Sequence, residues 1–215
     1  YMHNDEEVEQ SILNGDCKLQ WKVDWAMRWC ALDIDYEMYG KDLIPTFQLS
    51  SKVCRALDHN PPENYFYELF LDQNGEKISK SKGNGLSIEQ WLAYAPKETL
   101  SYFMYQNPRR AKKLFLDIIP KSTDEFLSHL NKFDEQSTLE KLDNPIWHIM
   151  NGKNDIGKIS VSYNLILNLV SASGKNDSAT ILDFVKKYDQ KINESNINFV
   201  NEIISGAMNF EKDVT

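Results

Sequence analysis

Apolar residues along this chain change their spacing near residue 87, and the elements they predict change with them. Upstream the texture is mixed. "KLQWKV" (18–23) and "DIDYEMYG" (33–40) carry aromatic and β-branched strand formers, and Ile34, Tyr36 and Met38 alternate as a half-buried strand requires. Between them, "DWAMRWCAL" has helical spacing through Trp25, Arg28 and Trp29. After Pro45, "TFQLSSKVCRAL" repeats apolar residues at Leu49, Val53, Ala56 and Leu57, the pattern of an amphipathic helix. "NYFYELFLD" (64–72) reads as strand, Asn74-Gly75 as a turn and "EKIS" as the returning strand, so a short hairpin is expected. Strands and helices in alternation belong to part of an α/β sheet.

From Ser87 the pattern is helix after helix. Ser87 and Gln90 fit a capping box before "WLAYA", and Pro96 sits at a helix start ahead of Leu100, Phe103 and Met104. Asn107-Pro108 breaks that helix. Two apolar faces follow, at Leu114, Phe115, Ile118 and Ile119 and at Phe126, Leu127, Leu130 and Phe133, with Pro120 separating them. "DEQSTLEKLDN" (134–144) is the best candidate linker. Three further helices are expected: "SYNLILNLVSAS" ended by Gly174, "SATILDFVKKYDQ", and "NINFVNEIISGAMNF" with Val200, Ile203, Ile204 and Ala207 inward.

Composition narrows the function classes. With 41% hydrophobic and 12% aromatic residues in 215 positions the chain can fill a real core. A net charge of −8 argues against indiscriminate coating of nucleic acid, so DNA is not an expected partner and any RNA contact is a local patch. Cys17, Cys30 and Cys54 form no CxxC pair and read as core thiols in a reducing compartment. No apolar run approaches a membrane span and no signal peptide is evident, which points to the cytoplasm. His3, His59, His129 and His148 are dispersed, and no metal site is expected. The first residue is Tyr1 rather than Met, a hint of a fragment.

The candidate chemistry lies in "GEKISKSKGNGLS" (75–87). Glycine exposes backbone N–H groups, lysine adds point charges and serine adds hydroxyls, the three means by which proteins hold a polyphosphate. The stretch leads into a helix beginning near Ser87, whose free N–H groups favour an anion. Neither GxxxxGK[ST] nor GxGxxG is present, so neither a Walker loop nor a dinucleotide fingerprint applies. On composition alone a solvated Lys/Ser turn is the simpler account.

The order of the residues adds more. Lys77-Ile78-Ser79-Lys80-Ser81-Lys82-Gly83-Asn84 resembles the KMSKS signature of class I aminoacyl-tRNA synthetases with its trailing SKGN. "WKVDWAMRWCALDIDYEMYGKDL" (21–43), "PPENYFYELFLD" and "IEQWLAYAPKETLSYFMYQNPRRAKKLFLDIIPKSTDEF" resemble class I lysyl-tRNA synthetases, specifically their bacterial branch, from about 20 to about 135. Leu43 stands where archaeal-type members have His after GKD.

By that resemblance Lys77 and Lys80 would be the catalytic lysines of the loop, with Lys80 stabilising charge that develops on the ATP phosphates. Lys77, Ser79, Lys80 and Ser81 would bind ATP, together with Gly40 and Asp42. Trp21 and Tyr67 would line the pocket for the substrate lysine, as aromatic walls suit an aliphatic stem ending in ammonium. Read from the residues alone, Trp21, Trp25 and Trp29 are as well explained as a core stripe, and Asp24 with Arg28 as an ion pair. Glu68 in an aromatic strand either binds the substrate ammonium or faces solvent. "RRAKK" (109–113) is either a solvated helix start or a phosphate contact, and the resemblance makes Arg109, Arg110, Lys112 and Lys113 candidates for tRNA.

The fold class expected is α/β followed by all-α. Residues 1–90 would be the second half of a Rossmann-like catalytic domain, 91–135 a helical stem-contact region, and 136–215 the start of a helical anticodon-binding domain. The resemblance implies lysine activation by ATP, commonly with Mg²⁺, and transfer to tRNA for lysine. The other class I signature, HIGH, does not occur in these residues, so the chain by itself is expected to be inactive. Two other classes stay open: a stand-alone RNA-binding module of synthetase descent, and a non-tRNA nucleotidyltransferase with a related lysine-serine loop.

Overall fold

The computed structural model describes residues 2–79, 83–174 and 177–214. It divides into two compact bodies, Tyr1–Glu68 and Leu69–Thr215. No helix among the described residues is long and apolar enough to cross a membrane.

The first body opens with a small antiparallel pair, β1 (Met2–His3) and β2 (Glu6–Glu7). Helix α1 (Trp21–Leu32) follows, then β3 (Tyr36–Gly40), α2 (Ile44–Ala56) and β4 (Glu63–Tyr67). Strands β3 and β4 run parallel, joined through α2, and end together with Gly40 opposite Tyr67. "KLQWKV" is thus not a strand: Lys18–Gln20 are irregular and Trp21 already begins α1. The reason lies in packing. Trp25 and Trp29, one turn apart, are buried against Tyr39 and Phe47, with ring centroids 4.9 to 6.0 Å apart, and large rings supply most of the area a small body can hide.

Of the expected inward faces, Ile34 before β3 and Val53 on α2 do pack against the core, but the remaining positions turn out. Tyr36 and Met38 are each 53% exposed, whereas Tyr39 is buried and Glu37 partly so. Glu37 turns inward because its carboxylate accepts the indole N–H groups of Trp29 at 2.9 Å and Trp25 at 3.3 Å. On α2 the inward stripe is Phe47, Ser50, Ser51 and Cys54, while Leu49 and Leu57 are exposed. Ser50 tolerates burial by donating to the Lys22 carbonyl at 2.8 Å, and Ser51 by donating to that of Phe47 at 2.8 Å. Of the three cysteines, Cys17 is exposed rather than a core thiol; the Cys30 and Cys54 sulfurs are 3.5 Å apart.

The second body begins with β5 (Phe70–Leu71), which pairs with Lys77 across the Asn74-Gly75 turn, as the hairpin reading expects. Its other edge takes β6 (Lys112–Lys113) in parallel. The helices are α3 (Ile88–Tyr94), α4 (Lys97–Tyr105), α5 (Ile118–Phe133), α6 (Thr138–Asp143), α7 (Pro145–Ile149), α8 (Tyr163–Ser173), α9 (Ser178–Tyr188) and α10 (Ile197–Val214). The Ser87–Gln90 capping box is formed in both directions, and Gly174 closes α8 with φ +57°.

Three expectations are corrected here. Pro120 does not separate two elements but sits in the first turn of α5, where a missing N–H costs nothing. The "linker" 134–144 contains α6, started by a Ser137–Glu140 capping box. RRAKK does not start a helix; it passes from a turn into β6, because Leu114 N–H and the Phe70–Leu71 edge claim its backbone.

One continuous core joins Tyr102, Phe126, Ile146, Ile166, Ile181 and Ile203, so the helices before and after residue 135 share an interior. The long irregular stretch between α7 and α8 is held by side chains that mimic backbone. Asn131 accepts from the Ile159 N–H at 2.8 Å and donates to its carbonyl at 2.6 Å, and buried Asn196 donates to the Lys158 carbonyl at 3.2 Å.

Candidate functional site

In the first body the candidate residues gather where the parallel strands end. Gly40 and Tyr67 face each other in register as the last residues of β3 and β4, and Lys41, Asp42 and Glu68 follow immediately. The carboxyl ends of parallel strands are where open α/β sheets bind ligands, because the crossover helices leave a crevice there. Gly40 is buried and Tyr67 is 41% exposed. Glu68 does not simply face solvent: its side chain is 18% exposed and lies 2.6 Å from the Lys41 ammonium. Lys41 is a residue the sequence reading passed over, although its place inside "GKDL" was a usable signal. Trp21, 50% exposed, stacks on Trp25 at 5.5 Å and so extends the core stripe to the surface. Asp24 and Arg28 do form an ion pair, at 2.9 Å. Leu43 packs against the aromatic cluster, an apolar setting that suits leucine and would strand an imidazole.

In the second body the lysine-serine loop springs from the hairpin. Phe70 of β5 stacks on Phe103, and Phe103 lies against buried Trp91, so the hairpin stands on a packed base. Buried Asp72 organises the turn: its carboxylate accepts from the N–H groups of Asn74 and Glu76, both at 2.9 Å, and from the Asn84 amide at 2.8 Å. The Asn84 hydrogen bond, with that of Glu76, holds the Asp72 carboxyl below the usual carboxylate range. Lys77 and Ser79 stand at the root of the loop. Lys80 and Ser81, assigned to ATP by resemblance, lie outside the described residues. A cleft of about 390 Å³ beside the root is lined by Asp72, Asn84, Gly85, Gln90 and Leu114, among others. Asn84 was legible only as the last residue of the signature, with no role of its own, and Asp72 was not singled out from sequence. An aspartate two residues before Asn74-Gly75 is a turn signal that could have found Asp72.

The basic run splits in two. Arg109 and Arg110 are exposed, and Arg110 and Lys113 line a second cleft of about 280 Å³ with Lys121 and Glu125. Lys113 also donates to the Gln73 carbonyl at 2.9 Å. Lys112 is directed differently. Its ammonium lies over the Phe103 ring at 4.6 Å and donates to the carbonyls of Phe103 and Gln106, the latter at 2.6 Å, closing the C-terminus of α4. Burial pushes its pKa down to about 8. Among the described residues no group of three or more His, Cys, Asp or Glu side chains could hold a metal ion.

A parallel strand pair with polar residues at its carboxyl ends, and a lysine-serine loop rooted in a hairpin ahead of a helical body, define the class to which comparison then assigns the chain. Residues 1–153 match the family described as tRNA synthetases class I (K). The chain belongs to that family, the class I synthetases of the lysine type. It is 44% identical over 212 residues to a lysine–tRNA ligase of Rickettsia bellii, covering 98% of this chain and 41% of that protein. A lysine–tRNA ligase of Rickettsia africae is 44% identical over 208 residues, 96% of this chain and 40% of its own length. One from Roseobacter denitrificans is 46% identical over 191 residues, 89% of this chain and 36% of its own. The chain thus spans about two fifths of the length of these curated relatives.

Proposed function

We propose that this chain is part of a lysine–tRNA ligase that joins lysine and ATP into lysyl-adenylate, releasing pyrophosphate, and passes the lysyl group to the terminal ribose of tRNA for lysine. What supports this most is the Lys77–Asn84 signature, with Ile78 in place of Met and rooted in a hairpin, in a chain of this family. Lys80 and Lys77 place positive charge on the phosphates as negative charge develops, and Ser79 and Ser81 add hydrogen bonds. Gly40 allows the nucleotide close to the backbone, and Asp42 accepts ribose or amine hydrogens. Trp21 and Tyr67 flank the substrate lysine stem. Glu68 takes its ammonium, for a carboxylate has lone pairs for a second cation beside Lys41. Catalysis is positioning and electrostatics, with no covalent nucleophile from the protein.

Among the described residues no group of three or more His, Cys, Asp or Glu side chains fits the Mg²⁺ that the resemblance implies. For tRNA, Arg109, Arg110 and Lys113 are the phosphate contacts; Lys112 shapes the surface they stand on by closing α4. We assign residues 1–90 to the second half of the nucleotide-binding domain, 91–135 to the stem-contact region and 136–215 to the start of the anticodon-binding domain, in a cytoplasmic enzyme. These are labels of role, and by packing the division falls after Glu68. Because HIGH is absent from these 215 residues, they do not form adenylate unaided.

The test is lysine-dependent ATP–pyrophosphate exchange by the full-length parent protein, with Lys80→Ala beside it. Exchange should fall by about 10²-fold or more in the variant, the scale of removing one preorganised stabilising contact. No exchange by the parent would overturn the reading, and exchange by the isolated 215-residue chain would overturn its inactivity. The exposed Arg109 and Arg110 favour one second reading, a stand-alone RNA-binding module; tRNA binding that falls with salt and ignores ATP would select it.

A further inference from the structure

The hairpin ladder beneath the lysine-serine loop ends early. Lys77 bridges to Leu71 and the Ile78 N–H donates to the Phe70 carbonyl at 3.2 Å, but the next N–H, that of Ser79, has left the strand pair. Its donor is taken by a side chain: Asn84 Oδ1 accepts it at 3.1 Å. The amide nitrogen of the same Asn84 donates to Asp72 Oδ2 at 2.8 Å, and its contact with the Lys77 carbonyl is 3.5 Å. Asp72 meanwhile spends Oδ1 on the turn, through the N–H groups of Asn74 and Glu76. One carboxamide therefore ties the outgoing side of the loop, its returning side and the hairpin turn to a single buried carboxylate. A bond to a charged acceptor is about twice as strong as a neutral one, which suits Asp72 to hold this junction.

The apolar contact at the same place tells the same story. A Cβ at Gly85 would lie 2.8 Å from Cγ2 of Ile78, closer than van der Waals contact allows. Gly85 does not have a left-handed backbone, so glycine is needed there for space rather than conformation. Ile78 and Gly85 flank the same root that Asn84 binds, and the backbone leading to Lys80 leaves from Ser79, the residue whose N–H Asn84 holds.

We propose that Asn84 and Asp72 are positioning residues of the adenylation reaction: together with the Ile78–Gly85 contact they clasp the two ends of the loop and set the register from which its lysines reach the phosphates. The inference rests on the proposed function, since a clasp matters for rate only if the loop serves ATP. Misplacing a catalytic group by about 1 Å costs roughly 10²-fold, so loosening the root should register in turnover and not in lysine affinity.

The test uses the full-length parent protein and the variants Asn84→Ala and Gly85→Ala, with melting temperature as the control for folding. Two quantities are read: deuterium uptake by the peptide containing Ser79, and lysine-dependent ATP–pyrophosphate exchange. Asn84→Ala should exchange the Ser79 amide faster, leave the helices of the second body protected, and lower kcat roughly 10- to 100-fold with KM for lysine unchanged. Gly85→Ala, which displaces Ile78 without removing a hydrogen bond, should do the same to a smaller degree. Unaltered uptake at Ser79 in Asn84→Ala overturns the clasp, and full turnover with Ser79 deprotected overturns its role in catalysis. No exchange by the unaltered protein overturns the proposed function instead, and this role with it, while the Ser79 uptake still reports on the clasp alone.

Discussion

The two bodies fill their interiors by different means. The first hides a few large rings, Trp25, Trp29, Tyr39 and Phe47, around a carboxylate that both indoles need. The second hides rings as well, among them Trp91, Tyr102, Phe126 and Tyr163, but fills the space between them with aliphatic side chains from five or more helices, and asparagines there stand in for missing backbone partners. A body with two helices and a strand pair gains area fastest from aromatic rings, but indole N–H groups must then be satisfied inside. With more helices, aliphatic side chains share the interior with the rings. The lesson is that an interior carboxylate can be structural: Glu37 lies in the strand that leads to Gly40 yet answers to Trp25 and Trp29.

Cutting each core tests this contrast most strongly. Phe126→Ala, which empties a fully buried site, should cost the second body about 3–5 kcal/mol, read from the denaturant midpoint of its protected helices. Glu37→Ala should cost the first body roughly 2–3 kcal/mol by leaving its indole donors unpaired, and should loosen hydrogen exchange in α1 and β3 only. If instead Glu37→Ala proves neutral, the aromatic core does not depend on its carboxylate.

Asp72 sharpens the comparison through pH. Its native pKa is depressed, so as pH falls past about 3.9 the unfolded chain takes up the proton first. Its stabilisation is therefore complete above that value and is lost as pH falls through the native one. The melting-temperature gap between the unaltered protein and Asp72→Asn should be steady from pH 7 to 5 and shrink toward pH 2; a constant gap would mean the carboxylate's charge is not what matters. The smallest effect expected is at the surface. Ser87→Ala removes one N-cap bond from α3, at a cost of about 1 kcal/mol. Denaturant melts of both proteins resolve that difference.

Gly206 shows where reading from pattern stops. Within "NINFVNEIISGAMNF" a mid-helix glycine looks like a local weakness of about 1 kcal/mol against alanine. In the structure its missing Cβ admits the Tyr94 carbonyl, which would lie 2.1 Å from that atom, so α3 and α10 approach at a distance no other residue permits. Lys112 is a second case. Four basic residues in five positions suggest one solvated patch, yet the C-terminus of α4 draws one of them in and leaves the others exposed or at the rim.

What the sequence determined by itself were features closed by bonds over a few residues: the Asn74-Gly75 turn, the Ser87–Gln90 cap, the Gly174 stop, the helices from α8 to α10, and the ordered motif of the loop. Each is complete within about one turn of chain, so its energy is legible locally. Tertiary structure alone decided which side of β3 and α2 faces inward, where α1 begins, and that Asn84 reaches Asp72. Those outcomes depend on partners distant in sequence. A face is buried by what packs on it, and the spacing of apolar residues within one element cannot say that Glu37 will be wanted by two tryptophans and Leu49 by none.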